Sequence, residues 1–347
     1  MNKSLVVNTR ILQSHTTGVQ RYLLELLSRM PEVERVSPVE KMAGVRGHVW
    51  EQFRLPVSCR GKLLWSPSNT GPLAVRNQVV TIHDVAPLDH PEWMNPRFAA
   101  WYHFLIPRLA RRVKHIIVVS EFTRQRLITH SRIDPDKVTV VHCGVDARFQ
   151  PQGQEAIVAA RTALQLPTGR YVLSVGSLEP RKNLGRLLLA WERLLPELPP
   201  DVWLVLAGAR GKNHVFADVP ELKQLPERVF MSGYVPDEML PALYAGAMAF
   251  VYPSTYEGFG APPLEAMACG TPVLTGNRAS LPEVVGDAGV MVDPFSVEDI
   301  ADGLRQLLLD DALRLALVPK GLKQAAKFRW DITAQHTRAI LHEAARE

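Results

Sequence analysis

Cysteine is scarce in this 347-residue chain, which has only Cys59, Cys143 and Cys269, all far apart. That spacing provides no CxxC metal or redox motif and no disulfide framework. Three isolated thiols fit a reducing compartment. No run reaches the ~18 apolar residues that a membrane-spanning helix requires. The opening stretch MNKSLVVNTRILQSH has no apolar segment of signal-peptide length, so a cytoplasmic location is expected. The dinucleotide fingerprint GxGxxG does not occur, and GARGKN at 208–213 lacks the spacing and the Ser/Thr of a P-loop. There is no internal repeat and no low-complexity tract.

What is present is an ordinary globular composition, 46% hydrophobic and 22% charged, which excludes a disordered or fibrous chain. Charge is uneven along it. Residues 1–150 carry 21 Lys+Arg against 12 Asp+Glu, and residues 151–347 carry 19 against 23. A basic half beside a mildly acidic one implies an anionic partner for the first. The window 96–126 concentrates the effect, with Arg97, Arg108, Arg111, Arg112, Lys114, Arg124 and Arg126 facing only Glu121.

Short apolar runs alternate with helical patterns, the signature of βαβ units and parallel sheets. Strands are predicted at 4–7, 63–65, 79–82, 115–119 and 138–141. A second series is predicted at 171–175, 203–207, 229–231, 249–252, 273–274 and 290–292. The polar DARFQPQG at 146–153 separates the two series and reads as a linker, with a helix over 155–164 opening a second domain. Two α/β domains with doubly wound sheets are expected, their chemistry lying in loops after the strands' carboxyl ends.

Four of those loops carry unusual residues. In YEGFGAPPLEAMACG at 256–270, Pro262 and Pro263 suit a first helical turn and Gly270 with Pro272 its end. A helix start approached by flexible backbone is an anion site. Glu257 and Glu265 flank it, either as ligands for hydroxyl groups or as a solvated residue and a dipole complement. In SVGSLEPRKN, Arg181 and Lys182 follow a strand and a glycine; they form a diphosphate clamp or an exposed basic turn. His83, next to Asp84 after the strand VVTI, could bond a substrate or shuttle a proton, or simply pack. Thr16, Thr17 and Gly18 precede a helix that a sugar or phosphate could approach closely. Asp134-Pro135-Asp136 looks like a metal-binding DxD but precedes a strand, so it reads as a turn.

These residues resemble a family. EGFGAPPLEAMACGTPVL resembles the E-x7-E signature of family 4 glycosyltransferases, and TGVQRYLLELL, TIHDVAPLDHPEW, VVSEFTRQRL, VHCGVD, VGSLEPRKNLGRLLLAW and MSGYVPDEMLPALYAGAMAFVYPS match in order. The resemblance implies a GT-B fold, two Rossmann-like domains with parallel sheets facing a central cleft. Residues 1–153 would bind the acceptor, 154–329 the nucleotide sugar, and 330–347 would form a helix crossing back to the first domain. It implies a retaining hexosyltransferase needing no metal or other cofactor. Arg181 and Lys182 would hold the donor diphosphate, Glu265 the ribose, and Glu257 the transferred sugar. Phe259, Gly260 and Ala261 would offer backbone N–H groups. Gly18 would cover the diphosphate, and His83 would sit beside the anomeric carbon. Ser232–Val235 and Ala209–Arg210 would line the base. The HD, SEFTR and LEPRKN variants look most like bacterial enzymes using GDP-mannose or a deoxy relative. A UDP-sugar donor is the alternative, and a sugar-nucleotide epimerase on the same fold a more distant one. The acceptor would be a lipid-linked or polysaccharide glycan, as in lipopolysaccharide O-antigen assembly, and no nucleic acid partner is implied. Aromatic residues interleaved with the basic ones in 96–126 suit docking on the anionic inner face of the cytoplasmic membrane, or packing inside the domain.

Overall fold

A computed structural model describes residues 4–13, 17–42, 44–208 and 224–346. The chain divides into two compact units. The first comprises Met1–Pro91, Pro96–Gly144 and Phe328–Glu347, and the second Glu92–Asn95 and Val145–Lys327.

The first unit is built on β1 (Leu5–Asn8), β2 (Glu34–Val36), β3 (Leu63–Ser66), β4 (Gln78–Ile82), β5 (His115–Val118) and β6 (Val138–Val140). They form one parallel sheet in the order β2-β1-β3-β4-β5-β6. Strand β2 escaped the sequence pattern because its Glu-Arg-Val lies at the sheet edge with Glu34 and Arg35 exposed, leaving no apolar alternation to read. On one face, Tyr22, Leu23 and Leu26 of the helix Gly18–Arg29 pack with Trp65, Val79 and Ile117 of the sheet. Trp330, Leu341 and Ala344 of the helix Trp330–Arg346 join the same cluster. Gly144 permits that docking, since a Cβ there would lie 2.2 Å from the Trp330 nitrogen. On the other face, Ile106 and Leu109 of the helix Pro96–Arg112 cover Val80, Ile82, Ile116 and Val118. Burying side chains of this size stabilises by about 1.5–3 kcal/mol each.

The second unit contains β7 (Arg170–Val175), β8 (Val202–Ala207), β9 (Val229–Gly233), β10 (Ala249–Tyr252), β11 (Val273–Gly276) and β12 (Gly289–Val292). Its parallel sheet runs β12-β11-β10-β7-β8-β9. Leu187, Trp191 and Leu194 of the helix Leu184–Leu194 and Leu304 and Leu307 of the helix Val297–Leu309 pack on Val172, Leu204 and Val251. The DARFQPQG segment lies wholly inside this unit, whose main segment begins at Val145 rather than after 153. The reason is local: Phe149 is buried and stands edge-on to Tyr244, 5.9 Å between ring centres.

Candidate active site

The chain enters the second sheet at its middle. It lays β8 and β9 to one side of β7, then returns to place β10, β11 and β12 on the other. Loops leaving β7 and β10 therefore diverge, opening a crevice at the strands' carboxyl ends. Both loops carry the residues singled out from the sequence.

After β7, Pro180–Lys182 forms a single 3-10 turn and Asn183 takes a left-handed conformation, φ 60°. Asparagine tolerates that region because its short side chain bonds locally. Here Asn183 Nδ2 donates to the carbonyls of Pro253 (3.0 Å) and Pro294 (2.6 Å), tying the loops after β7, β10 and β12 together. The Thr255 amide donates to the Arg181 carbonyl at 2.9 Å. Gly208, φ 149°, closes the neighbouring edge: a Cβ there would lie 2.0 Å from the Gly176 carbonyl oxygen.

These ties bring Arg181, Lys182 and Glu257 into one buried cluster. Lys182 Nζ reaches Glu257 Oε1 at 2.7 Å, and Arg181 Nη1 reaches Oε2 at 2.6 Å. Arg181 Nε also pairs with Glu179 at 2.8 Å. Lys182 donates to the Tyr252 hydroxyl, which donates in turn to Glu257 Oε1 at 2.8 Å. Ser254 Oγ lies 2.9 Å from the same oxygen. Lys182 and Glu257 are only 8% and 6% exposed, so neither the solvated carboxylate nor the exposed basic turn is what the chain forms. Burial raises the Glu257 carboxyl pKa, but Arg181 and Lys182 outweigh it and bring it to about 2. Burial lowers the Lys182 ammonium, as does Arg181 beside it, against the opposing pull of Glu257. The result is two cations balanced by two carboxylates at the mouth of the crevice.

The helix predicted at 262–269 spans Ala261–Ala268. Gly260 precedes it with φ 107°, a conformation that L side chains rarely adopt, and Pro262 and Pro263 open its first turn. Ser280 Oγ donates toward the Phe259 carbonyl at 2.6 Å, fixing the loop that delivers the amides of Gly260 and Ala261. Glu265 is the fifth helical residue and not part of the first turn; its buried carboxylate accepts the Tyr244 hydroxyl at 3.0 Å. That placement removes the dipole-complement reading. Val235, past the end of β9, is buried, while Ala209 and Arg210 lie outside the described residues.

Sequence reasoning missed Glu179, Tyr244, Tyr252 and Ser254. Tyr252 and Tyr244 read as core aromatics, and only the tertiary fold turns their hydroxyls onto Glu257 and Glu265. A signal existed in buried tyrosine itself, whose hydroxyl generally needs a partner.

In the first unit, His83 follows β4 and is 9% exposed. Its Nε2 lies 2.7 Å from the Pro67 carbonyl oxygen, which can only accept, so Nε2 carries the proton and Nδ1 presents a lone pair. The His83 amide donates to Asn69 Oδ1 at 2.6 Å, and Tyr22 stands edge-on to the ring, 4.7 Å between centres. Burial lowers the imidazole pKa to about 4, against the Pro67 bond. His83 is therefore neutral at pH 7. Unfolding frees it to titrate near 6.5, so between pH 6.5 and 4 the unfolded chain binds the proton and the native one does not. Native stability is expected to fall by about 3 kcal/mol across that window on this account. Urea unfolding of wild type and His83→Gln at pH 7 and 4.5 checks it; parallel losses in both would remove His83 as the cause. Gly18 is the first residue of its helix, behind Thr17, whose amide donates to Gln20 Oε1 at 3.0 Å; Thr16 lies outside the described residues. Asp134 caps a turn, accepting the Asp136 amide at 3.0 Å.

Residues 160–324 match the family model described as glycosyl transferases group 1, and residues 64–149 the model described as glycosyltransferase family 4. O-antigen chain mannosyltransferase B of Escherichia coli is 36% identical over 261 residues, covering 75% of this chain and 68% of that protein. The serotype-specific mannosyltransferase WbdA of Escherichia coli is 33% identical over 265 residues, 74% of this chain but only 32% of WbdA. Among solved structures, Anabaena Alr3699/HepE in complex with UDP and glucose superposes with a TM-score of 0.76 over 98% of this chain and 99% of that one. At 18% identity that likeness shows the fold alone: GT-B, with two parallel six-stranded sheets.

Proposed function

This chain belongs to the family 4 glycosyltransferases, and on that footing we propose that it transfers mannose or a deoxy relative from a GDP-sugar, with retention, to a lipid-linked or polysaccharide glycan acceptor. The observation that carries the proposal is the buried Arg181–Lys182–Glu257 cluster at the switch point of the second sheet. The names of the similar O-antigen mannosyltransferases support the choice of sugar and pathway class.

The leaving group is a nucleoside diphosphate, so the barrier falls as charge developing on its β-phosphate is stabilised. Arg181 offers a planar fork of donors and Lys182 a compact charge. The amides of Gly260 and Ala261, at the start of the helix Ala261–Ala268, add donors and a favourable dipole end. Glu179 and Glu257 hold the two cations in place and charged until the diphosphate arrives. Glu257 is then the carboxylate nearest to bond the hydroxyls of the transferred sugar, and Glu265, oriented by Tyr244, is assigned to the ribose. We assign no metal to the reaction, because these groups supply the positive charge the departing diphosphate needs. His83 presents an unprotonated Nδ1 and accepts a hydrogen bond from a sugar or acceptor hydroxyl without acting as a strong base.

Thermal unfolding with GDP, UDP or ADP at equal millimolar concentration, without added metal, tests the donor. A nucleotide at 100 times its Kd stabilises by about 2.7 kcal/mol. Stabilisation by GDP alone is expected. A shift with UDP alone would overturn the donor base and keep the transferase; no shift with any nucleotide would overturn the transferase reading. Product analysis separates an epimerase, which leaves the sugar on its nucleotide.

A further inference from the structure

The helix Gly44–Phe53 in the first unit is turned the wrong way round for a core helix. Val45, Val49 and Phe53 are 79%, 52% and 73% exposed, and Val57 in the following turn Leu55–Ser58 is 73% exposed. Four residues apart, these side chains succeed one another along one side. The opposite side is the buried one, and it is largely polar: Gly47 and Glu51 face inward, His48 stands edge-on to Trp101 at 5.6 Å, and half-buried Trp50 alone packs against the apolar Val6, Leu55 and Leu64. Glu51 has no exposure and accepts Asn8 Nδ2 at 2.7 Å and Thr70 Oγ1 at 3.1 Å. The helix is thus anchored by hydrogen bonds and by Trp50, and shows an apolar stripe to solvent on the side that an amphipathic helix ordinarily keeps polar.

The surroundings of the stripe are cationic. Arg46 and Arg54 are exposed on the same segment. At its carboxyl end a surface cavity of about 620 Å³ opens, lined by Arg60, Lys62, Arg76, Arg112 and Lys114 and by no carboxylate. Lys62 pairs with Glu34 at 2.6 Å, and Lys114 donates to the Ala344 carbonyl at 2.9 Å. Arg60, Arg76 and Arg112 are exposed and make no ion pair among the described residues.

The window 96–126 lacks this combination. In the helix Pro96–Arg112, Leu105 is buried, and Phe98, Trp101 and Tyr102 are half-buried; Phe104, 44% exposed, lies 4.0 Å beneath the Arg108 guanidinium. Its aromatics serve mainly packing, although Arg112 reaches the cavity.

We propose that the first unit docks on an anionic lipid bilayer through this face, the stripe Val45–Val49–Phe53–Val57 entering the interface and Arg60, Arg76 and Arg112 receiving a headgroup phosphate. An apolar face rimmed by arginines matches a bilayer surface in both polarity and charge. A second copy fits poorly, because a two-fold contact would bring the same arginine rims together. The inference is independent of the transferase reading.

Flotation of the full chain with vesicles of phosphatidylglycerol and phosphatidylcholine, or of phosphatidylcholine alone, tests it at low and high salt. Binding to the anionic vesicles that weakens with salt is expected. Each cation near an anionic surface strengthens binding about fivefold. Arg60→Gln/Arg76→Gln/Arg112→Gln is therefore expected to weaken it on the order of 100-fold, and Val49→Ser/Phe53→Ser also on the order of 100-fold. Unchanged thermal midpoints and unchanged nucleotide response would show both variants folded. Wild type that stays at the bottom of the gradient, or variants that float like it, would overturn the proposal. So would release of the protein from vesicles by millimolar inorganic phosphate at constant ionic strength, which would mark a free-anion site. A wild-type dimer in sedimentation velocity that Val49→Ser/Phe53→Ser disperses would make the stripe an interface between copies instead.

Discussion

Lys182→Ala is expected to lower kcat by about 10²–10³ while leaving the protein folded, the range seen when one preorganised donor to a developing oxyanion is removed. The asymmetry follows from what Glu257 keeps. Without the ammonium, its Oε2 still accepts Arg181 at 2.6 Å and its Oε1 still accepts Tyr252 at 2.8 Å, with Ser254 Oγ 2.9 Å away. The buried carboxylate stays satisfied, so the loss falls on the charge available to the diphosphate. Steady-state turnover of GDP-mannose, read beside a urea unfolding curve, separates the two effects. Wild-type kcat in a folded variant would remove Lys182 from the chemistry.

Glu257→Ala is expected to behave in the opposite sense, costing about 3–5 kcal/mol of stability at pH 7, the cost of breaking a buried pair from one side. Its loss leaves Arg181 and buried Lys182 adjacent with Glu179 as the carboxylate paired to them, and strips Tyr252 of its acceptor. Lys182 then has reason to shed its proton, since burial and Arg181 already lower its pKa. Because folding depresses the Glu257 pKa, the wild-type contribution is whole above the ordinary carboxylate pKa of about 4.3 and declines as pH falls toward about 2. Urea unfolding at pH 7 checks the first statement, and the wild-type-minus-variant difference on acidification checks the second. A cost below about 1 kcal/mol would mean the cluster is solvated enough to do without its carboxylate.

Much of the second unit could be read in advance because its inner strands are buried on both faces. AFVY is a continuous apolar run and YVLSV is broken only by Ser174, and EGFGAPP places glycine and two prolines where a helix must begin. The polar edge strand β2 could not be read, since nothing apolar marks a strand that contributes backbone bonds and little core. Glu265 shows the limit at a single residue. Its spacing from Glu257 was visible, but its burial against Tyr244, 21 residues away, depends on how two helices pack. The aromatic residues of 96–126 were legible as a group, yet whether they faced lipid or protein was not, because the sequence holds no record of which side a neighbouring helix occupies. The exposed stripe of Val45, Val49, Phe53 and Val57 went unread because apolar periodicity announces a buried face whether or not anything covers it.

The sequence alone determined the alternation of strands and helices, the two-sheet class, the basic first half, and the loops that hold Arg181, Lys182, His83 and Glu257. These follow from local terms: periodicity, glycine and proline conformations, and charge counted along the chain. The tertiary structure alone decided that Arg181 and Lys182 share one carboxylate, that Tyr252 completes their cluster, that burial holds His83 neutral, and that an exposed apolar stripe lies on 45–57. Each of those depends on groups distant in sequence meeting in a low-dielectric interior, where burial and pairing set both charge state and accessibility.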